Sequence, residues 1–432
     1  RQLPAGKLDY GQASLQNEMI NIPALHEKGF TGRGVRIALF DAGFRDAHRM
    51  QAFDSLRKDG RLLAFYDFVA NSDSSLFHAD DHGTEVMSTI VANLPGQMIG
   101  TAPHASVVLC RTEDASSETR QEEYNWVRAL EWVDSIGVDI IHTSLGYHDF
   151  DRPEEDYAYS DLDGNTAVIS RAADMAAAKG ILVTTSAGNE GVSRWRHITA
   201  PCDADSVLCI GSVNKSGKYS SFSSIGPTAD NRIKPDVVAM GSRTTVFTSG
   251  DRLTQSDGTS FSAPIVAGMV ACLKQAHPNR SHLDIIQAVR LSADQYLFPD
   301  EKYGYGIPDA AKADSLLSHV QDLSTVQIVM AEKPRRGKPR VKPQQMEVAF
   351  TAHPRSKVDI QPHRLLVQTE GSAVIEEVYL QYGKQKLTFD PADIQISASK
   401  AAFNTDYLLR GKTPYYLYIK TDQYEERIPL SL

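Results

Sequence analysis

Four short segments carry side chains able to do covalent chemistry, and each lies where a strand or turn meets a helix-compatible run. Gly258-Thr259-Ser260-Phe261-Ser262-Ala263-Pro264 leads into Ile265–Ala271, an apolar run of small residues, so Ser260 falls at or just before a helix N-terminus. Free backbone N–H groups and the positive end of the helix dipole gather there and favour a developing oxyanion. A serine in that place also serves simply as a helix cap. Val35–Phe40 is an apolar strand that delivers Asp41 to its C-terminal edge, just before Ala42-Gly43. That edge faces the crevice where α/β sheets bind ligands, although an Asp near a Gly is equally an ordinary turn residue. Asp80-Asp81-His82-Gly83-Thr84-Glu85-Val86 places a histidine at the start of another helical run, where a surface or hydrogen-bonded structural His is the plainer account. Ile181–Thr185 is a strand leading through Ser186-Ala187-Gly188 to Asn189 in a glycine-flanked turn, a position Asn often takes for backbone reasons alone.

Singly, each segment has an unremarkable explanation. In this order along one chain they resemble the subtilase family, and the resemblance covers roughly residues 10 to 315. The family's triad runs Asp, His, Ser along the chain, which here implies Asp41, His82 and Ser260. The resemblance further implies Asn189 as the side-chain oxyanion donor and Thr143-Ser144-Leu145-Gly146 as the substrate-binding strand, with Lys234-Pro235-Asp236 matching a further family segment. Ser144, Leu145 and Gly146 would present an open edge to an extended polypeptide, pairing with it as an added strand. Ser186, Ala187 and Gly188 would border the side-chain pocket. The implied activity is serine endopeptidase chemistry through an acyl-enzyme. Its rate should rise with pH from about 6 to 8 as the histidine base loses its proton.

The chain departs from the family in three places. Glu85 stands where many relatives carry a second His, which reads as a change in packing or surface. Asn93–Gly100 replaces a stretch that holds calcium in many relatives and offers no carboxylate. The chemistry requires no cofactor, and structural calcium, though conceivable, has no recognisable site. The segment after Gly146 is long and acidic, with Asp149, Asp151, Glu154, Glu155, Asp156, Asp161 and Asp163 against Arg152 alone. It is a solvated loop, a cation site or a steering surface for basic substrates.

The elements that must position these residues alternate between short apolar strands (Val35–Phe40, Val107–Cys110, Asp139–His142, Ile181–Thr185, Val207–Val213) and helical stretches such as Glu122–Ile136 and Val168–Lys179. Such alternation predicts an α/β fold, a mostly parallel sheet with helices on both faces, and the resemblance makes it subtilisin-like. Residues 333–343, Lys-Pro-Arg-Arg-Gly-Lys-Pro-Arg-Val-Lys-Pro, are basic and proline-rich and form no regular element. After them come β-like runs without a helical pattern, including Leu365–Thr369, Ala373–Tyr382, Tyr415–Thr421 and Glu425–Leu430, which predict a small C-terminal β-sandwich. The expected division is a peptidase domain over 1–320, a linker over 321–345 and a β domain over 346–432. The ending Gly411–Thr421 and Glu425–Leu430 is similar to the closing strands of type IX secretion sorting domains. That similarity implies secretion machinery as a partner and a secreted or cell-surface location. No apolar signal core is present in the first residues, so such a segment would have been removed or lie outside this sequence.

Composition narrows the alternatives. A formal net charge of −9 over 432 residues argues against nucleic acid as a partner, because phosphate binding needs a basic face. No window approaches the 18 or so uninterrupted apolar residues of a membrane span. Cys110, Cys202, Cys209 and Cys272 lack the paired spacing of a zinc site. Cys202 and Cys209 flank a turn that permits either a local disulfide or two free thiols, and the redox compartment decides between them. A lipase-like hydrolase is excluded, because Gly-Thr-Ser-Phe-Ser lacks the nucleophile-elbow pattern. A catalytically inactive subtilase-fold binding protein is the remaining alternative, and none of the four implied catalytic residues is substituted.

Overall fold

The computed structural model describes residues 8–296 and 299–319, together with strands between Ala349 and Leu430. The chain divides into two compact units, Arg1–Leu316 and Leu317–Leu432. The expected linker, 321–345, lies outside the described residues.

Seven strands of the first unit form one parallel sheet: β1 (Arg36–Asp41), β2 (Leu62–Asp67), β3 (Ser106–Arg111), β4 (Ile140–Thr143), β5 (Leu182–Ser186), β6 (Val207–Val213) and β7 (Val237–Met240), in the order β2-β3-β1-β4-β5-β6-β7. Ile37–Phe40, Ile140–Thr143 and Val207–Val213 are buried throughout, which is why these strands are near-continuous apolar runs and not alternating ones. The chain builds outward from β1 to β2, returns through β3, then crosses β1 to continue from β4. The order therefore reverses at β1, and a crevice opens beyond the carboxyl ends of β1 and β4.

Helices cover both faces. α1 (His82–Val91) and α4 (Thr259–Ala276) pack together on one side, α2 (Arg120–Ile136) and α3 (Val168–Ala178) on the other. In α2, Trp126, Leu130 and Val133 face the sheet, with Trp126 fully buried and its ring edge-on to Phe40 at 5.2 Å between centroids. Gly137 ends α2 with φ +78°, the left-handed conformation that glycine adopts without steric cost. A hairpin of β8 (Thr244–Thr248) and β9 (Arg252–Ser256) lies against α1.

Cys202 and Cys209 form a disulfide, so the open alternative resolves to the bonded pair. Both are fully buried, which ties the turn before β6 to the strand itself. Cys110 and Cys272 are buried free thiols. The Lys234-Pro235-Asp236 segment is a buried ion network. Lys234 Nζ donates to Asp236 Oδ2 and to the Val207 carbonyl, and Arg290 pairs with Asp236 Oδ1. Removing one member of such a network strands a buried charge, which is strongly destabilising.

The second unit holds two antiparallel sheets among its described strands. One has five strands, Ala349–Phe350, Ser356–Gln361, Arg364–Thr369, Lys400–Asn404 and Ile394–Ser397 in spatial order. The other has four, Gln385–Leu387, Ile375–Tyr382, Tyr415–Thr421 and Glu425–Leu430. Short strands such as Lys400–Asn404 escaped the sequence reading because the three-residue run Ala401-Ala402-Phe403 is too short to show an alternation.

Candidate active site

Asp41 is the last residue of β1 and His82 the first of α1, and the fold brings them together: His82 Nδ1 lies 2.8 Å from Asp41 Oδ1. A carboxylate only accepts, so the ring proton sits on Nδ1. The Ala42 N–H donates to the same oxygen, and Oδ2 is buried without a partner. Gly83 makes the approach possible. A Cβ there would stand 2.4 Å from the Gly43 carbonyl oxygen and 2.9 Å from the Asp41 Cβ, so any larger residue would push α1 off β1. Asp80 Oδ1 accepts from the His82 N–H, and Asp81 Oδ2 accepts from Thr248 and Ser249 on the hairpin. Glu85 accepts from Ser256 of β9, so the family's second His is replaced here by a residue that pins the hairpin to α1.

Ser260 is the second residue of α4. The first four N–H groups of a helix have no intrahelical acceptor, so the Ser260 N–H points outward with the dipole behind it. Pro264 sits four residues on and has no N–H to give, which leaves the Ser260 carbonyl without its normal helical donor. Ser144 Oγ takes that place, donating to the Ser260 carbonyl at 2.9 Å. Ser144 Oγ in turn accepts from His142 Nε2 at 2.9 Å, and His142 Nδ1 accepts from Thr184 Oγ1 at 3.0 Å. His142 is fully buried, and burial, with the His82 charge a lesser cause, lowers its pKa to about 3, so it stays neutral as this chain requires. Sequence reasoning missed His142. Its signal was there, since His142 and Ser144 are two apart on a strand and so share a face.

Ser260 Oγ itself has one long contact, 3.5 Å to the Ser144 carbonyl. His82 sits beside this helix start, its ring 5.8 Å from that of Phe261. Asn189 Oδ1 accepts from both the N–H and the hydroxyl of Thr259, at 2.9 and 3.0 Å. This fixes the amide and leaves its NH2 group as the free donor on an exposed side chain. Leu145 is buried in the core, Gly146 is exposed, and among the described residues their backbone groups bond to no protein atom. Ser186 and Ala187 are buried, with the Ala187 N–H and carbonyl taken by Ile210 and Thr199, whereas Gly188, at φ +100°, remains partly exposed. A Cβ on Gly188 would lie 2.8 Å from the Ser224 and Thr199 hydroxyls.

In the acidic segment the carboxylates largely serve the chain's own turns. Asp156 accepts from Phe150 N–H, Asp161 from Ala158 N–H, and Asp163 from Asn165 and Thr166 N–H. No group of three or more His, Cys, Asp or Glu is arranged to hold a metal among the described residues.

Comparison with known proteins gives the family. The subtilase family model matches residues 32–306, more than half of the chain. The chain belongs to the subtilase family. It is similar to Subtilisin NAT of Bacillus subtilis subsp. natto, with 31% identity over 291 residues, covering 67% of this chain and 68% of that one. It is also similar to the subtilisin of Bacillus pumilus, at 30% identity over 67% of this chain and 94% of the relative. Among solved structures, the prenylagaramide maturation protease PagA aligns with a TM-score of 0.54 at 19% identity, covering 68% of this chain and 98% of its own. MycP1 with its N-terminal propeptide removed aligns at 0.53 and 23%, covering 69% and 96%. These two share the fold. This subtilase is a subtilisin-like serine endopeptidase, acting on protein or peptide substrates, and nothing favours the inactive alternative.

Proposed function

We propose that Ser260 is the nucleophile, His82 the general base and then acid, Asp41 the group that fixes the His82 tautomer, and Asn189 with the Ser260 N–H the oxyanion donors. The 2.8 Å contact of His82 Nδ1 with Asp41 carries this reading. With Nδ1–H given to Asp41, Nε2 holds the lone pair able to accept the serine proton. Ser260 Oγ then bonds to the scissile carbonyl carbon, and the carbonyl oxygen becomes an oxyanion facing Asn189 Nδ2. Collapse breaks the C–N bond, the amine leaves with the proton from His82, and water repeats the sequence on the acyl-enzyme. Each oxyanion donor of this kind supplies about 2.7–4 kcal/mol, a scale set on subtilisin itself. The open backbone of Leu145 and Gly146, beside Ser144, supports pairing with an extended substrate, and Ser186–Gly188 border its side chain. Every step uses the chain's own groups, so we propose no cofactor.

The pH profile tests the base. Burial lowers the His82 pKa, but the Asp41 charge and hydrogen bond, then the charges of Glu113 and Asp80, outweigh it and raise the value from 6.5 to about 9. The side chain is 31% exposed, so solvent screens part of that lift. The base works only when unprotonated, so a raised pKa moves the working form to higher pH. kcat/KM is expected to rise with pH, with its midpoint above 6.5 and no higher than about 9. A flat or falling profile over that range would remove His82 from the mechanism.

The peptidase domain, 1–320, holds every residue named above. We propose that 321–345 is a linker and 346–432 a secretion-sorting domain that engages secretion machinery and delivers the enzyme to the cell surface or medium. The similarity of the closing strands supports this, as does the separate unit from Leu317 onward. Among the described residues no helix is long and apolar enough to cross a membrane. Deleting residues 344–432 should leave peptide hydrolysis within about threefold of the full chain, since the modules share no catalytic group, while blocking export in the native host. Normal export of the truncated enzyme would refute the sorting role.

A further inference from the structure

Two segments flank the place of the residue whose carbonyl is attacked: the open edge of Leu145 and Gly146, and the turn that leads through Gly188 to Asn189. The space between them is occupied by the chain itself. A Cβ on Gly146 would collide with the Thr199 hydroxyl oxygen and stand 3.1 Å from the Thr199 Cβ. A Cβ on Gly188 would stand 2.8 Å from the same oxygen and 3.0 Å from the Thr199 methyl. One side chain thus lies against both glycines, and Thr199 is only 3% exposed.

Hydrogen bonds hold Thr199 to both walls. Its N–H donates to the Ala187 carbonyl at 3.2 Å, and the next residue, Ala200, exchanges bonds of 3.0 and 2.9 Å with Tyr147. Ser224 backs the second wall. Its N–H donates to the Gly188 carbonyl at 2.9 Å, and its buried hydroxyl accepts from the Glu190 N–H at 3.0 Å. The Thr199 hydroxyl is buried and has no hydrogen-bond partner among the described residues. A buried hydroxyl without a partner costs stability, so packing between the two glycines, and no bond of its own, sets where that oxygen sits. A β-branched side chain is also stiff at χ1, so it does not swing aside easily.

We propose that Thr199 plugs the side-chain pocket and restricts the residue on the acyl side of the scissile bond to glycine, alanine or serine. The plug rests on the proposed roles of Ser260 and Asn189 and on strand-edge pairing by the substrate, because these place that residue between Gly146 and Gly188. An alanine methyl ends where the plug begins. A leucine or phenylalanine must displace a buried side chain whose backbone is fixed on both sides, and overpacking of that kind is costly.

The test is a set of tetrapeptide anilides that differ only in the last residue, alanine, leucine or phenylalanine. The anilide fixes which bond is cut. Wild-type kcat/KM should favour alanine over phenylalanine by roughly tenfold or more, the scale on which a pocket discriminates by size. Thr199→Ala removes the oxygen and the methyl that stand between the glycines and should lower that ratio at least about tenfold. Thr199→Val keeps the volume and removes the hydroxyl, so its ratio should stay within about threefold of wild type. Each ratio is taken within one enzyme preparation, so a partly inactive variant still reports. The wild-type ratio alone tests the plug if Thr199→Ala does not fold. A lower wild-type ratio, a ratio unchanged in Thr199→Ala, or a ratio lost in Thr199→Val overturns the plug alone. No hydrolysis of any anilide by the wild type would overturn the catalytic assignment, and the plug with it.

Discussion

Ser260→Ala is expected to lower kcat by about 10⁶-fold, the scale found when subtilisin loses its nucleophile. The fold should survive. Ser260 Oγ makes only the 3.5 Å contact with the Ser144 carbonyl, while the structural work at this position is done by the backbone carbonyl that Ser144 Oγ holds. Alanine keeps that carbonyl, the N–H and the helix. A residual acceleration of about 10³–10⁴ over water should remain, since Asn189 and the open strand edge still bind and polarise the peptide. Casein or peptide hydrolysis measures the loss, and circular dichroism measures the fold. In parallel, a fluorophosphonate probe should label the wild type at Ser260 and leave the variant unlabelled. Activity within tenfold of wild type, or labelling at another serine, would refute the nucleophile.

Asp41→Asn is expected to lower kcat by about 10⁴-fold with little change in structure. An asparagine can keep the acceptor for the Ala42 N–H, but its amide can also donate to His82 Nδ1. The ring then carries its proton on Nε2, facing the serine, in the tautomer that cannot accept. A second readout separates this from a general disturbance. The Asp41 charge and hydrogen bond are the main forces holding the His82 pKa up, so without them burial prevails and the value falls. The residual activity should therefore rise with pH at a lower midpoint than in the wild type. A variant that loses activity but keeps the wild-type midpoint would show that Asp41 acts on something other than the histidine.

The proposed catalytic constellation could be read from sequence because each member stands at a boundary that sequence marks. Asp41 ends a buried strand, His82 and Ser260 open helices, and Asn189 sits in a glycine turn. The strand and helix runs were placed within a residue or two, since both-face burial makes the strands uniformly apolar and α2 shows Trp126, Leu130 and Val133 at helical spacing. The disulfide was not legible. A separation of seven residues fits both states, and only the 5.1 Å between Cα atoms decides it. The acidic segment was legible as acidic but not in what its carboxylates do. Asp156, Asp161 and Asp163 close local turns, whereas Asp151 reaches across to Glu118.

The sequence by itself determined which residues we propose for the chemistry, the family, and the alternating strands and helices that end at them, because these depend on periodicity and on boundary signals within a few residues. Only the tertiary structure decided the partners. His82 meets Asp41 across 41 residues, and Ser144 reaches the carbonyl that Pro264 leaves free on Ser260 across 116. Hydrogen bonds act over about 3 Å, and the strength of a charge depends on separation in space and on how much water remains nearby. Neither quantity is set by distance along the chain.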